Sequence, residues 1–327
     1  MPSILTVAHT ADLIRQDRKL LLAGDEALLK QLPQGKWIGG TIPYFMADTG
    51  GLMTQDKVFV TVLPDDVTEI TTRFYDAESL PGIAADEPEN GFSFIIIPAF
   101  STLHLSFAEN VYDYENIFNR PLMGWVSGVA LGDLGKVKPK VVDGQTGRWS
   151  EGEAVVLHAH LRAGVSAEVG IVNLFTQGDG DVITFDTAGF AAGEAKVNGA
   201  PVNFARYVET KGISTQLPLV ADYAGAMVNV SIQGVDVNAG SVTFYAPVFP
   251  NVEYKFATPV ADYAADFGDK IAHIGTHPTV AVNCILNYLY GELEGKRTGD
   301  VHGPMTFGEI AYGLLNQTLV HLDLKHL

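Results

Sequence analysis

The sequence predicts an α/β protein of two related lobes, each a mixed β-sheet covered by helices. Three observations carry this expectation. At 327 residues the chain exceeds what one hydrophobic core usually serves and suits two domains or one large two-lobed unit. The run Phe92-Ser93-Phe94-Ile95-Ile96-Ile97 is almost continuously apolar, as expected of a strand buried on both faces of a helix-covered sheet. Beyond Glu153 the pattern becomes strand-rich, with turn residues between short β-branched runs. A junction through Asp143-Gly144-Gln145-Thr146-Gly147 divides the chain into domains 1–150 and 151–327.

Taken in order, Thr10 caps a helix that begins at Ala11-Asp12 and whose apolar side is Leu13, Ile14, Leu20, Leu21 and Leu22, until Gly24 interrupts it. Asp25 restarts a short helix, Glu26 to Leu32, closed by Pro33 and Gly35. Trp37 to Thr41 reads as a strand ending in a glycine turn, and Lys57 to Leu63 as a stronger one from its β-branched content. After Phe92–Ile97, Ser101 to Glu109 supplies a covering helix. Glycines at 124, 128, 132 and 135 follow. They fit neither the P-loop nor the dinucleotide fingerprint, so close backbone packing is their expected use. Ala154 to Leu161, Glu168 to Leu174, Asp181 to Phe185 and Met227 to Gln233 are strands, with a hairpin turn at Asn198-Gly199. Ala261 to Ile271 is helical, and the chain closes with strand, helix, turn and strand.

Composition excludes several functions. The formal charge of −17 and the lack of any Lys/Arg cluster argue against a nucleic-acid surface, which needs cations to displace counterions from phosphates. A single cysteine rules out an intramolecular disulfide and a cysteine-rich zinc site and points to a reducing compartment, the cytoplasm. No signal peptide is expected at the N-terminus, and no apolar run reaches the roughly 18 residues of a membrane span.

Some side chains have spacing that can carry chemistry. His158 and His160 lie two apart on one strand and face the same way, so they can present two imidazoles to a metal, or serve simply as strand histidines. His273 and His277 are four apart, but Gly275 and Pro278 oppose a regular helix there and no H-E-x-x-H occurs. Cys284 ends a β-branched run, where a thiol is a small buried hydrophobe, a pocket lining or, given a base, a nucleophile. Glu309 lies between Gly308 and Ile310. Its carboxylate serves either as a cap for the following turn or as a polar group facing a pocket, with Thr306 and Phe307 adding a hydroxyl and a flat apolar wall. No G-x-S-x-G nucleophile elbow is present.

The last fifth of the chain, Val280-Ala281-Val282-Asn283-Cys284, then Gly303-Pro304-Met305-Thr306-Phe307-Gly308-Glu309-Ile310 and the strand-like Thr318-Leu319-Val320-His321-Leu322, resembles the C-terminal part of the FIST family. Trp37 to Thr41, Pro121 to Gly128 and Gly193 to Val208 are similar to its earlier segments, in the same order. The resemblance implies a cytoplasmic sensory domain that reversibly binds a small metabolite such as an amino acid, with ligand contacts near Asn283, Cys284, Thr306, Phe307 and Glu309. Output is then expected through a separate signalling partner or through self-association. The family often carries a basic residue three places after the cysteine, where this chain has Asn287, so a relative's ligand does not transfer. Two other functions are consistent with the residues: an enzyme using Glu309 as acid or base with a metal on His158 and His160, and, from the family, a haem-binding gas sensor.

Overall fold

A computed structural model describes residues 3–223, 226–272 and 278–327. It is a mixed α/β structure dominated by sheet. His273 and His277 lie outside the described residues.

Three six-stranded sheets form the body, and each contains one parallel pair joined by a helical crossover. Leu20–Gly24, the helix Glu26–Leu29 and Trp37–Thr41 form the first. Gly91–Pro98, the helix Thr102–Asn110 and Leu122–Ser127 form the second. Val280–Cys284, the helix Ile285–Tyr290 and Gly303–Thr306 form the third. In each pair the second strand carries glycine where the two backbones meet. A Cβ on Gly124 would stand 1.9 Å from the Ile95 carbonyl oxygen, and one on Gly303 would stand 2.2 Å from that of Ala281. The glycines between 121 and 135 that resemble a phosphate cradle thus include one whose role is close strand approach.

Gly91–Pro98 is buried at every position, as its apolar run requires. Ser101 caps the following helix by accepting a hydrogen bond from the His104 N–H at 3.0 Å. Asn198 and Gly199 adopt φ of 50° and 82° and close the hairpin Glu194–Val197/Ala200–Asn203. Two expectations about the first helix fail. Thr10 is not its cap but lies within it, its hydroxyl donating to the Thr6 carbonyl at 3.0 Å. Leu20, Leu21 and Leu22 do not continue the first helix, which spans Val7–Arg15 under a Thr6 cap. They form the strand Leu20–Gly24, buried throughout. Asp17, in the left-handed region at φ 61°, breaks the helix, and an apolar run without alternation suits a strand covered on both faces equally well.

The largest core joins Leu21, Ile38, Phe59, Phe94, Trp125 and Val155 to Val282, Met305 and Val320. It therefore draws on both sides of residue 150. Two sheets also mix strands from both sides: Ala154–Leu161 lies between Val67–Tyr75 and Gly91–Pro98, and Gly303–Thr306 pairs with Tyr44–Ala47. The stretch 183–256 builds a separate core around Phe185, Phe204, Phe244 and Tyr254, from a second sheet system and the helix Phe204–Lys211. It is inserted between Val165–Asn173 and Val280–Cys284, two strands that both flank Thr318–His326. Among the described residues no helix is long and apolar enough to cross a membrane.

Candidate functional site

The end of the chain folds around Thr318–His326, which pairs antiparallel with Val280–Cys284. The turn at Phe307 and Gly308 is strapped to the strand Leu122–Ser127. Phe307 N–H donates to the Val126 carbonyl at 3.1 Å, and Val126 N–H donates to the Gly308 carbonyl at 2.8 Å. Glu309–Ala311 then continues antiparallel along the same strand. This places the Glu309 carboxyl inside the protein, with no exposure.

Glu309 Oε2 accepts from the Thr318 hydroxyl at 2.8 Å and from the Thr318 N–H at 3.3 Å. Its Oε1 has no partner. Burial pushes this carboxyl up from 4.5 to about 8, against the pull of the Thr318 contacts. The buried Cys284 thiol lies close enough to act on this carboxyl as well, in the same downward sense as Thr318. Burial, helped by the neighbouring Glu309, pushes the thiol well above its usual value.

Asn283 and Thr306 serve the framework. Asn283 Oδ1 accepts from the Cys284 N–H and from Asn287 Nδ2, both at 2.8 Å. Thr306 Oγ1 stands 3.2 Å from the Asn283 carbonyl and 3.0 Å from that of Gly308. Asn287, where the FIST family often has a basic residue, also donates to the Thr318 carbonyl at 3.1 Å and accepts from the Tyr263 hydroxyl. It is a fully buried cross-link.

Cys284 and Phe307 face a cavity of about 220 Å3, whereas Asn283, Thr306 and Glu309 are not in its lining. The cavity lies between the body and the inserted unit. The body contributes Phe100, His104, Leu131 and Leu286, and the insertion contributes Phe190, Gln233, Phe244 and Tyr245. No Asp, Glu, Lys or Arg is among its described lining residues. Four of them, Phe100, Leu105, Leu134 and Leu289, are large apolar side chains 40% or more exposed, so the mouth is apolar as well. Grouped exposed apolar side chains of this kind mark binding surfaces.

His104 is a lining residue that sequence reasoning did not place at this site. Its Nδ1 accepts from the Phe100 N–H at 3.3 Å, which leaves the proton on Nε2, and Nε2 has no partner. Burial holds the ring down to about 4, so it is neutral. The available signal was its place one turn after Ser101 in a capped helix next to a double-sided strand, which turns the ring inward. Phe100 itself is held at φ 62°, a conformation uncommon for a phenylalanine and one worth connecting with a site.

His158 is placed elsewhere. Its Nδ1 stands 2.8 Å from Ser93 Oγ and its Nε2 3.0 Å from the Tyr75 hydroxyl. Tyr75 donates its own proton to Asp86 at 2.7 Å, so Nε2–H donates to Tyr75 and Nδ1 accepts from Ser93. Both nitrogens are thus engaged, and burial lowers the ring to about 4. Among the described residues no group of three or more His, Cys, Asp and Glu side chains is placed to hold a metal ion. Removing divalent cations with a chelator should leave the melting temperature unchanged. His158→Leu, which strands the buried Ser93 hydroxyl and leaves the Tyr75 hydroxyl with Asp86 alone, should cost about 1–3 kcal/mol in a denaturant titration.

A buried amide network backs the cavity. Asn316 Oδ1 accepts from Ser231 N–H at 2.9 Å, Asn316 Nδ2 donates to the Asn229 carbonyl at 3.1 Å, and Asn229 Nδ2 donates to Asn173 Oδ1 at 3.0 Å. Asn316 also lines the cavity. Residues 5–325 match the model of a family described as a family of unknown function (DUF6976). No curated protein matches the chain.

Proposed function

The chain belongs to DUF6976, a family of unknown function, and we propose from its geometry that it is a small-ligand-binding sensory protein of the FIST-like type. The cavity between the body and the inserted unit carries this reading. It is enclosed by apolar side chains, has an apolar mouth, and contains isolated polar atoms on His104, Gln233, Cys284 and Asn316, the mixture that small-molecule sites use. The absence of charged groups among its described lining residues favours an uncharged ligand over a free amino acid.

A ligand there touches two units with separate cores, so it favours the arrangement in which both close on it. In this reading two lobes change their relative populations in the cytoplasm, and a separate signalling protein or a second copy of the chain reads the change. Haem binding through His104 is disfavoured by the tautomer, because Nε2 carries a proton where iron would need a lone pair.

A thermal-shift screen with uncharged C6–C10 ketones, amides and alcohols tests the reading. A ligand at about 100 times its Kd adds roughly 2.7 kcal/mol of stability. Leu131→Trp, which fills the cavity from its wall, should abolish the shift while the unliganded protein still melts cooperatively. Equal shifts in wild type and variant would place binding elsewhere.

A further inference from the structure

We propose that Cys284 captures apolar α,β-unsaturated aldehydes and ketones covalently, an inference that rests on ligand binding in the same cavity. Three groups define this chemistry. The first is His104, 6% exposed, whose Nε2–H is a donor without an acceptor. A ligand carbonyl oxygen supplies that acceptor, and the hydrogen bond withdraws electron density from the conjugated system. The second is Cys284, a lining residue of the cavity that carries a free, buried thiol. The third is Glu309, held through Oε2 by Thr318, with its unpartnered Oε1 in the same buried cluster as the thiol.

The step balances without an oxidant or a further reactant. The step runs through the ionised form of Glu309, whose share grows as pH rises through about 8: as sulfur attacks the β-carbon, the thiol proton passes to that carboxylate. The C–S bond forms, and the C=C π pair moves toward the carbonyl oxygen held by His104. The resulting enolate takes the proton back from Glu309 at the α-carbon. The net change is addition of S–H across C=C, with Glu309 and His104 returned to their starting states.

The surroundings explain why the thiol stays free until such a ligand arrives. Burial keeps it protonated, and a thiol of high pKa is a strong nucleophile once its proton is removed. Only a molecule that partitions past Phe100, Leu105, Leu134 and Leu289 reaches it. Glu309 then has the role of a general base, which contributes about 100-fold or more to such a transfer.

The experiment treats the native full chain with trans-2-octenal, its unreactive counterpart 2-octanone, or acrylamide, a polar acceptor. Intact mass, peptide mapping and melting temperature are read together. The expected result is one octenal per chain, mapped to Cys284 and absent in Cys284→Ser. The octenal-to-acrylamide rate ratio should be at least about 10-fold above that of free cysteine, as expected for an apolar pocket. Labelling should slow about 100-fold in Glu309→Gln and fall in Leu131→Trp, which leaves the thiol and the carboxyl untouched. A melting shift with octenal and octanone but no adduct at Cys284 overturns capture and leaves ligand binding standing. No adduct and no shift with either compound overturns both. Acrylamide labelling Cys284 with the selectivity of free cysteine also overturns capture.

Discussion

Glu309→Gln raises the melting temperature at pH 8 and leaves it nearly unchanged at pH 4. The buried carboxyl is raised from 4.5 to about 8 by desolvation. Between these values the unfolded chain releases the proton while the native state retains it, so each step upward in pH favours unfolding. The stability associated with this group is fully present below about 4.5 and is lost as pH rises toward and through about 8. From the two values the loss is on the order of 4 kcal/mol at the upper end. Glutamine keeps the shape and cannot ionise, so the variant lacks that loss.

The nearby Cys284 thiol and Tyr263 hydroxyl are themselves raised by burial and stay protonated across the window. His104 and His158, both lowered to about 4, act in the opposite sense, because they disfavour the folded state as pH falls below 6.5. Comparing wild type with variant at each pH from 4 to 8 cancels the histidines and isolates Glu309. Parallel stability curves over that range would show that the carboxyl is not held neutral.

Asn316→Ala destabilises the protein by about 3–5 kcal/mol, the second large effect expected. Asn316 is the hub that ties the inserted unit to the closing strands. Its loss strands the Ser231 N–H and the Asn229 carbonyl, both in buried residues. Ser231 Oγ, 2.5 Å from both Asn316 Oδ1 and Gln317 Oε1, keeps only the latter. Each orphaned buried group costs about 1–3 kcal/mol. Thermal melting should fall by roughly 5–15 °C for a chain of this size, and the ligand-induced shift should weaken with it. A loss below about 1 kcal/mol would mean that water takes over the amide's contacts.

The legible parts of this fold are those whose cause is local. The double-sided strand Gly91–Pro98, the Ser101 cap and the Asn198-Gly199 hairpin follow from an apolar run, a hydroxyl that accepts a backbone N–H, and two residues tolerant of positive φ. The strand Leu20–Gly24 was misread because a run buried on both faces has no period to separate strand from helix. At the site, Cys284 and Phe307 of the stretch singled out in the sequence line the cavity, and Glu309 does not. Their spacing could not separate the residues facing the cavity from those facing the amide network, because that depends on which strand each one pairs with.

By itself, then, the sequence determined a mixed α/β protein with a single thiol and a closing segment in which a carboxyl sits among apolar neighbours. These properties reside in side-chain chemistry and in contacts a few residues apart. Only the tertiary structure decided that Phe100, His104, Phe244, Cys284 and Phe307 enclose one space and that Asn287 and Asn316 are buried cross-links. It also decided that His158 is engaged by Tyr75 and Ser93. Those facts depend on burial and on contacts between residues far beyond one turn or one hairpin of each other, such as Ser93 with His158 and Ser231 with Asn316, which no local pattern encodes.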